Sequence, residues 1–285
     1  MTSRPGSQPE SITATVALSF AGTPVRVEVT VPTQVIELHQ LLPAVRSVTE
    51  QILGEAVKAE EAQGRAVSCR SGCGACCRQI VPISEVEARM LHRLVEEMPE
   101  PRRAQVKERF EQARQALEEG GLLDALRTTE ALPDEALVPI ALEYFNQHIP
   151  CPFLEAESCS IHPDRPVVCR EYLVTSPADL CSNPRPESIQ RVPLPVRVSS
   201  ILNRMGQAGR ETETGRWVPL VLALEWASSH LDQTPARSGP NWLREFFERL
   251  TGKPIPAPGS SNSPSHSPQM SLSRSKGRPK RPPRR

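Results

Sequence analysis

The chain has 285 residues, 38% hydrophobic and only 4% aromatic, so its core must rest on Leu, Val, Ile and Ala. The formal net charge is +1, but residues 252–285 hold eight basic and no acidic side chains, leaving 26 basic against 33 acidic elsewhere, a body of about −7. A basic footprint for nucleic acid is thereby confined to the tail. The densest apolar stretch, Val218 to Ala227, contains Glu225 and is too short to span a bilayer.

In chain order, Ile12, Ala14, Val16, Leu18 and Phe20 alternate on one face, as do Val25, Val27, Val29 and Val31, with Ala21-Gly22-Thr23-Pro24 as the turn. This pattern predicts a two-stranded hairpin, which must pack on helices to be stable in water. Leu41, Val45, Val48 and Ile52 then recur at helical spacing, with Pro43 suited to a first turn and an end near Gly64. Ser84 with Glu87 forms a capping-box pattern ahead of Leu91, Leu94, Val95 and Met98. Val106, Phe110, Ala113 and Leu117 mark a helix stopped by Gly120-Gly121, and Val138, Ala141, Leu142 and Phe145 mark one leading to Pro150-Cys151. Beyond a proline-rich stretch around 184–195, helices are expected near 197–206, 217–231 and 240–250. The last has Leu243, Phe246, Phe247 and Leu250 on one stripe. Trp217, Trp226 and Trp242 are read as core aromatics. From Gly252 onward the composition has almost nothing to bury and predicts disorder. The expected architecture is mainly α (α+β), a helical domain around a cysteine-ligated metal site. Its segments are a hairpin and helix over 1–64, a cysteine-cluster domain over 65–183, a helical extension over 184–251 and a disordered basic tail over 252–285.

All eight cysteines fall in two windows. The first is Cys69-Arg-Ser-Gly-Cys73-Gly-Ala-Cys76-Cys77. The second runs from Cys151 through Cys159 and Cys169 to Cys181, and 73 residues separate the two. Cysteines two or three apart on a turn can aim their sulfurs at one point, and Gly72 and Gly74 let the backbone curl around it. Cys76 and Cys77 are neighbours whose side chains diverge, so either one stands behind the ligands or the two serve different metals or different irons of one cluster. Eight thiolates could fill two four-coordinate sites. The first ten residues are polar and show no targeting segment, so a cytoplasmic location is expected. There, clustered thiols signal metal more than a disulfide framework. A redox or catalytic thiol is the competing reading.

The second window contains Cys151-Pro152-Phe153-Leu154, then Cys159-Ser-Ile161-His162-Pro-Asp164-Arg165-Pro166-Val-Val-Cys169-Arg170. With the compact group ending in Cys76-Cys77, this resembles the prokaryotic YkgJ-type cysteine-cluster proteins, zinc- or iron-chelating domains, over roughly residues 66–182. The resemblance implies that Cys69, Cys73, Cys76, Cys77, Cys151, Cys159 and Cys169 occupy chelating positions. Cys181 lies beyond the tightest part of the pattern and is kept with them as a candidate. The family often has an aromatic residue at His162, which implies a packing or hydrogen-bonding role there rather than ligation. Arg165 and Arg170 could donate hydrogen bonds to sulfur, or pair with a carboxylate such as Asp164.

Zinc and an iron–sulfur cluster both suit such ligands. Cys69-x3-Cys73-x2-Cys76 also resembles the three-cysteine cradle of radical S-adenosylmethionine enzymes, but the strand–helix repeats of their barrel are absent from the pattern. The cysteine-cluster domain also occurs in flagellin lysine N-methylases, so the resemblance admits methyl transfer, without a glycine-rich cofactor loop to support it. Three functions follow: a metal-binding or delivery module, an iron–sulfur enzyme or electron carrier, and an interaction protein stapled by structural zinc. No Ser/His/Asp or paired-carboxylate arrangement stands out, so no enzyme is assigned. The expected partner is a metal ion or cluster, with no membrane. The seven positive charges of 274–285 are read as a solvated tail in preference to a nucleic-acid contact, since no aromatic interleaves them. No protein partner is legible.

Overall fold

The structure is a computed structural model that describes residues 10–20, 23–129, 134–183, 187–205, 216–255 and 270–274. It is mainly helical with small sheets, and the chain forms two compact units, one from 1–48 with 235–285 and one from 49–234. No helix among the described residues is long and apolar enough to cross a membrane.

In the first unit, β1 (Ser11–Phe20) and β2 (Thr23–Pro32) pair antiparallel with Val16 opposite Val27. The alternation buries Ala14, Val16 and Leu18 against Val25, Val27, Val29 and Val31, as expected. Part of the expected turn, residues 21–22, lies outside the described residues. Strand β3 (Val35–Ile36) pairs with β8 (Arg237–Ser238), which leads into helix α9 (Gly239–Thr251). Trp242, Leu243, Phe246 and Phe247 of α9 are fully buried, and Trp242 Nε1 donates to Ile36 O at 3.1 Å. A Cβ at Gly239 would lie 2.0 Å from Pro32 O, so only glycine lets α9 start this close to the hairpin. The sequence expectation of a disordered tail falls mostly on residues outside the description. Met270–Arg274 are described, as strand β9 antiparallel to β1. The unit boundary falls inside helix α1 (Leu42–Glu61), whose buried Val45, Val48 and Ile52 follow the expected stripe.

The second unit begins its packed core at β4 (Pro82–Ser84), which pairs with β7 (Trp217–Pro219). Helices α2 (Glu85–Glu96) and α3 (Arg102–Glu119) follow. Leu91, Val95, Val106 and Phe110 join Phe153 and Ile161 in one apolar cluster, where Phe110 meets Phe153 edge-on at 5.4 Å. A second cluster gathers Leu117, Leu123 and Leu126 of α3 and α4 (Leu123–Arg127) around Tyr144 of α5 (Asp134–Asn146).

Three expectations change. The predicted stripe of α5 is on the wrong face: Val138 is 66% and Leu142 53% exposed, whereas Ile140 and Tyr144, one turn apart, pack inward. The expected helix over 217–231 opens as strand β7, because Pro219 disfavours helical geometry at Val218, and only Ala223–Ser229 forms α8. Trp226 is accordingly half-buried, stacked on His230 at 4.6 Å beneath the Arg89 guanidinium. The expected helix at 197–206 shortens to α7 (Val198–Leu202).

The capping box forms at α2 and does more than start a helix. Glu87 is buried and its carboxylate accepts from Ser84 N (3.1 Å) and Ser84 Oγ (2.7 Å). It also accepts from Val167 N at 2.7 Å, the first residue of α6 (Val167–Glu171), which carries Cys169. The substitution Glu87→Ala removes the cap and strands a buried N–H, so an unfolding free energy lower by about 2–4 kcal/mol is expected from urea titration. An unchanged midpoint would show that this carboxylate does not hold α6.

Candidate metal centre

The first cysteine window is a loop that tightens into a 3₁₀ turn at Ala75–Arg78. Gly72 has φ +82°, a left-handed conformation that other residues adopt at a cost. A Cβ at Gly74 would lie 2.6 Å from Glu157 Oε2 and 2.7 Å from Leu154 Cδ1, the ends of flexible side chains, and 3.3 Å from Glu157 Cα, so the second window passes close by this position. Cys151 N donates to Cys77 O at 2.7 Å, and Arg78 clamps Glu157 with two bonds of 2.9 and 2.6 Å.

Cys159 sits in a small hairpin of β5 (Leu154–Glu155) and β6 (Ser158–Cys159), turned through Ala156 and Glu157 at positive φ. Cys169 lies on α6, and Cys181 is buried on a short 3₁₀ turn, Ala178–Ser182, packed against the turn of the first window. Ser68 N donates to Val174 O at 2.9 Å, and Ser68 Oγ to Ser176 O at 2.5 Å, pinning the approach to Cys69 beside the segment that leads to Cys181.

The result is one cavity of about 510 Å³ lined by all eight cysteines. Each carries a free thiol. Among the described residues, no three His, Cys, Asp or Glu side chains form a ready-made ligand set for one ion, although all eight cysteines border the same space. Burial pushes the Cys69, Cys159 and Cys181 thiols up, and Cys151 up to about 12. A hydrogen bond with Cys77, followed by burial, raises Cys76, while burial and then the neighbouring Cys151 raise Cys169 well above the ordinary thiol range. Burial contributes to every one of these shifts and leads in all but Cys76: sulfur anions are costly in an enclosed space beside one another, and a bound cation reverses that cost.

Two further observations fit such a centre. Arg165 and Gln79 are among the residues that line the cavity, and Arg165 Nε and Gln79 Nε2 are buried without a hydrogen-bond partner. The Arg165 charge also favours the thiolate forms of Cys69, Cys76 and Cys159. Arg170, by contrast, is engaged elsewhere: it is buried, pairs with Glu50 at 2.5 Å, and donates to Pro163 O and Arg165 O at 2.6 and 3.1 Å. The sequence left the two arginines equivalent; the structure separates them. His162 is an exposed lining residue whose pKa is lowered, chiefly by Arg165 and then by burial. The long-range contacts of Glu50, Glu87 and Glu157 were not legible, because no local pattern pairs residues 79 to 120 positions apart.

Residues 68–185 match the model of the CxxCxxCC family, described as a "Putative zinc- or iron-chelating domain". The matched segment contains both cysteine windows, where the resemblance lay. A search of curated proteins found no match, and neither did a search of solved structures.

The division of labour between the arginines can be measured. Arg170→Met should lower stability by about 2–3 kcal/mol through the loss of a buried guanidinium's hydrogen bonds to Pro163 O, Arg165 O and Glu50. Arg165→Met should leave the unfolding midpoint nearly unchanged yet weaken zinc binding by about 10–100-fold in a chelator competition, as losses around metal ligands do. Native zinc affinity in Arg165→Met would contradict this assignment.

Proposed function

We propose that the protein is a metal-binding protein that holds zinc or an iron–sulfur cluster through thiolates of both cysteine windows, Cys69, Cys73, Cys76 and Cys77 from the first and Cys151, Cys159, Cys169 and Cys181 from the second. One observation carries this reading: eight free thiols from segments 73 residues apart border a single cavity. Thiolate sulfur is the donor that both zinc and iron–sulfur centres use. The family description, zinc- or iron-chelating, supports the same chemistry.

When bound, the metal supplies the positive charge that lets thiols lose their protons at neutral pH. The chain supplies the rest. The Cys151 N to Cys77 O bond and the Arg78–Glu157 pair bring the windows together, Glu87 fixes the start of α6, and the Arg165 charge favours thiolate at Cys69, Cys76 and Cys159. Because the ligands come from both windows, binding energy becomes folding energy for the segment between them.

Anaerobic purification followed by metal and acid-labile sulfide analysis tests the reading. Stoichiometric zinc, or iron with sulfide, is expected, and Cys73→Ser and Cys169→Ser should each lower the bound metal. A folded, metal-free protein with eight freely titrating thiols, or full occupancy in both variants, would overturn it.

A further inference from the structure

Helix α5 carries an apolar stripe that the fold leaves uncovered. Its inner side is anchored by the buried Tyr144 and by Ile140 one turn before it. The other side presents Val138, Ala141, Leu142 and Phe145, spaced i, i+3, i+4 and i+7, the spacing by which one helix engages another. Val138 is 66% and Leu142 53% exposed, Ala141 is exposed, and Phe145 is half-buried. The Phe145 ring meets the exposed His148 edge-on at 6.0 Å, which carries the stripe past the end of the helix. Single exposed apolar side chains are ordinary on a protein surface. Among the described residues the large ones are Val35, Val138, Leu142 and Leu231, and two of these four stand one turn apart on α5 beside further apolar carbon. Clustering of that kind marks a contact surface.

The charge around the stripe is one-sided. Residues 118–148 hold seven acidic side chains against one basic, Arg127, and Arg127 is paired with Glu225. Glu143 on α5 and Glu119 at the end of α3 are exposed and form no ion pair among the described residues. Gln147 Nε2 donates to Gly120 O at 3.2 Å, so the acidic end of α3 lies beside the end of α5.

We propose that this face of α5 is a docking surface for an amphipathic helix of a partner protein, its apolar stripe flanked by lysine or arginine. Charge selects among the occupants. A second copy of this chain would bring two acidic rims together, and an anionic lipid surface would be repelled by the same groups. The basic segment 274–285 matches in charge but contains no leucine, isoleucine, valine, methionine or aromatic residue to lay against Val138 and Leu142. A basic amphipathic helix meets both requirements. The surface goes beyond the metal reading: α5 lies between the two cysteine windows and carries none of the thiols, so either conclusion can fail without the other.

The test is fluorescence anisotropy of a labelled helical peptide, leucine at i, i+3, i+4 and i+7 and lysine elsewhere, titrated with the full-length protein. Saturable binding is expected, with a scrambled peptide of the same composition binding about tenfold more weakly or worse. Leu142→Ser and Val138→Ser should each weaken binding by about tenfold, the scale set by burying one such side chain. Both positions are exposed, so thermal unfolding should not change. Glu143→Gln should weaken binding at low salt, with the difference closing as salt rises. Val35→Ser, in the other unit, should bind as the unmodified protein does. No binding, equal binding of ordered and scrambled peptides, or native affinity in both serine variants of α5 would overturn the proposal. A concentration-dependent dimer that Leu142→Ser abolishes would overturn it too, by assigning the face to a second copy.

Discussion

The second unit is organised around a repulsive constraint. Sulfur anions enclosed together repel one another and lose their hydration, which is why burial drives these thiols upward. Neutral thiols can share such a cavity, but they would gain little from being assembled there. What makes the assembly intelligible is a cation that converts mutual repulsion into shared attraction. The surrounding structure serves that convergence. Gly74 lies close against Leu154 and Glu157, Cys151 N bonds to Cys77 O, and Arg78 and Glu157 pair across the same contact.

The supports of the second window are also long-range. A buried carboxylate on α2 holds the first N–H of α6, and Glu50 on α1 pairs with Arg170 at its other end. The Glu87 carboxylate and the Arg170 guanidinium are buried, so losing either partner of these contacts is costly, although Glu50 itself is half exposed. They give a short helix of five residues, too short to be stable by itself, a fixed place on the cavity wall.

Much of this was legible in the sequence, but unevenly. Strict alternation specified the hairpin because a period of two has one buried face to satisfy. Ser84 and Glu87 announced the start of α2 through a local rule. The spacing of the cysteine windows predicted convergence, and all eight cysteines line one cavity. The α5 stripe misled because its residues are apolar on more than one side, so periodicity could not choose between the 138/142 and 140/144 faces. Pro219 was a local signal against helix that the apolar run around it obscured. The neighbourhood of Cys181 could not be read at all: the hydrogen bonds that bring residues 174–176 beside Ser68 span more than 100 positions. Distance along the chain also hid the difference between Arg165 and Arg170, which have the same local motif and opposite surroundings.

The central claim is that sulfur from both windows contacts metal directly, and X-ray absorption at the metal edge of the anaerobically isolated protein addresses it most directly. The account predicts a first shell dominated by sulfur at about 2.3 Å, with fewer sulfur neighbours per metal when either window loses a cysteine. A first shell of oxygen and nitrogen alone would contradict it.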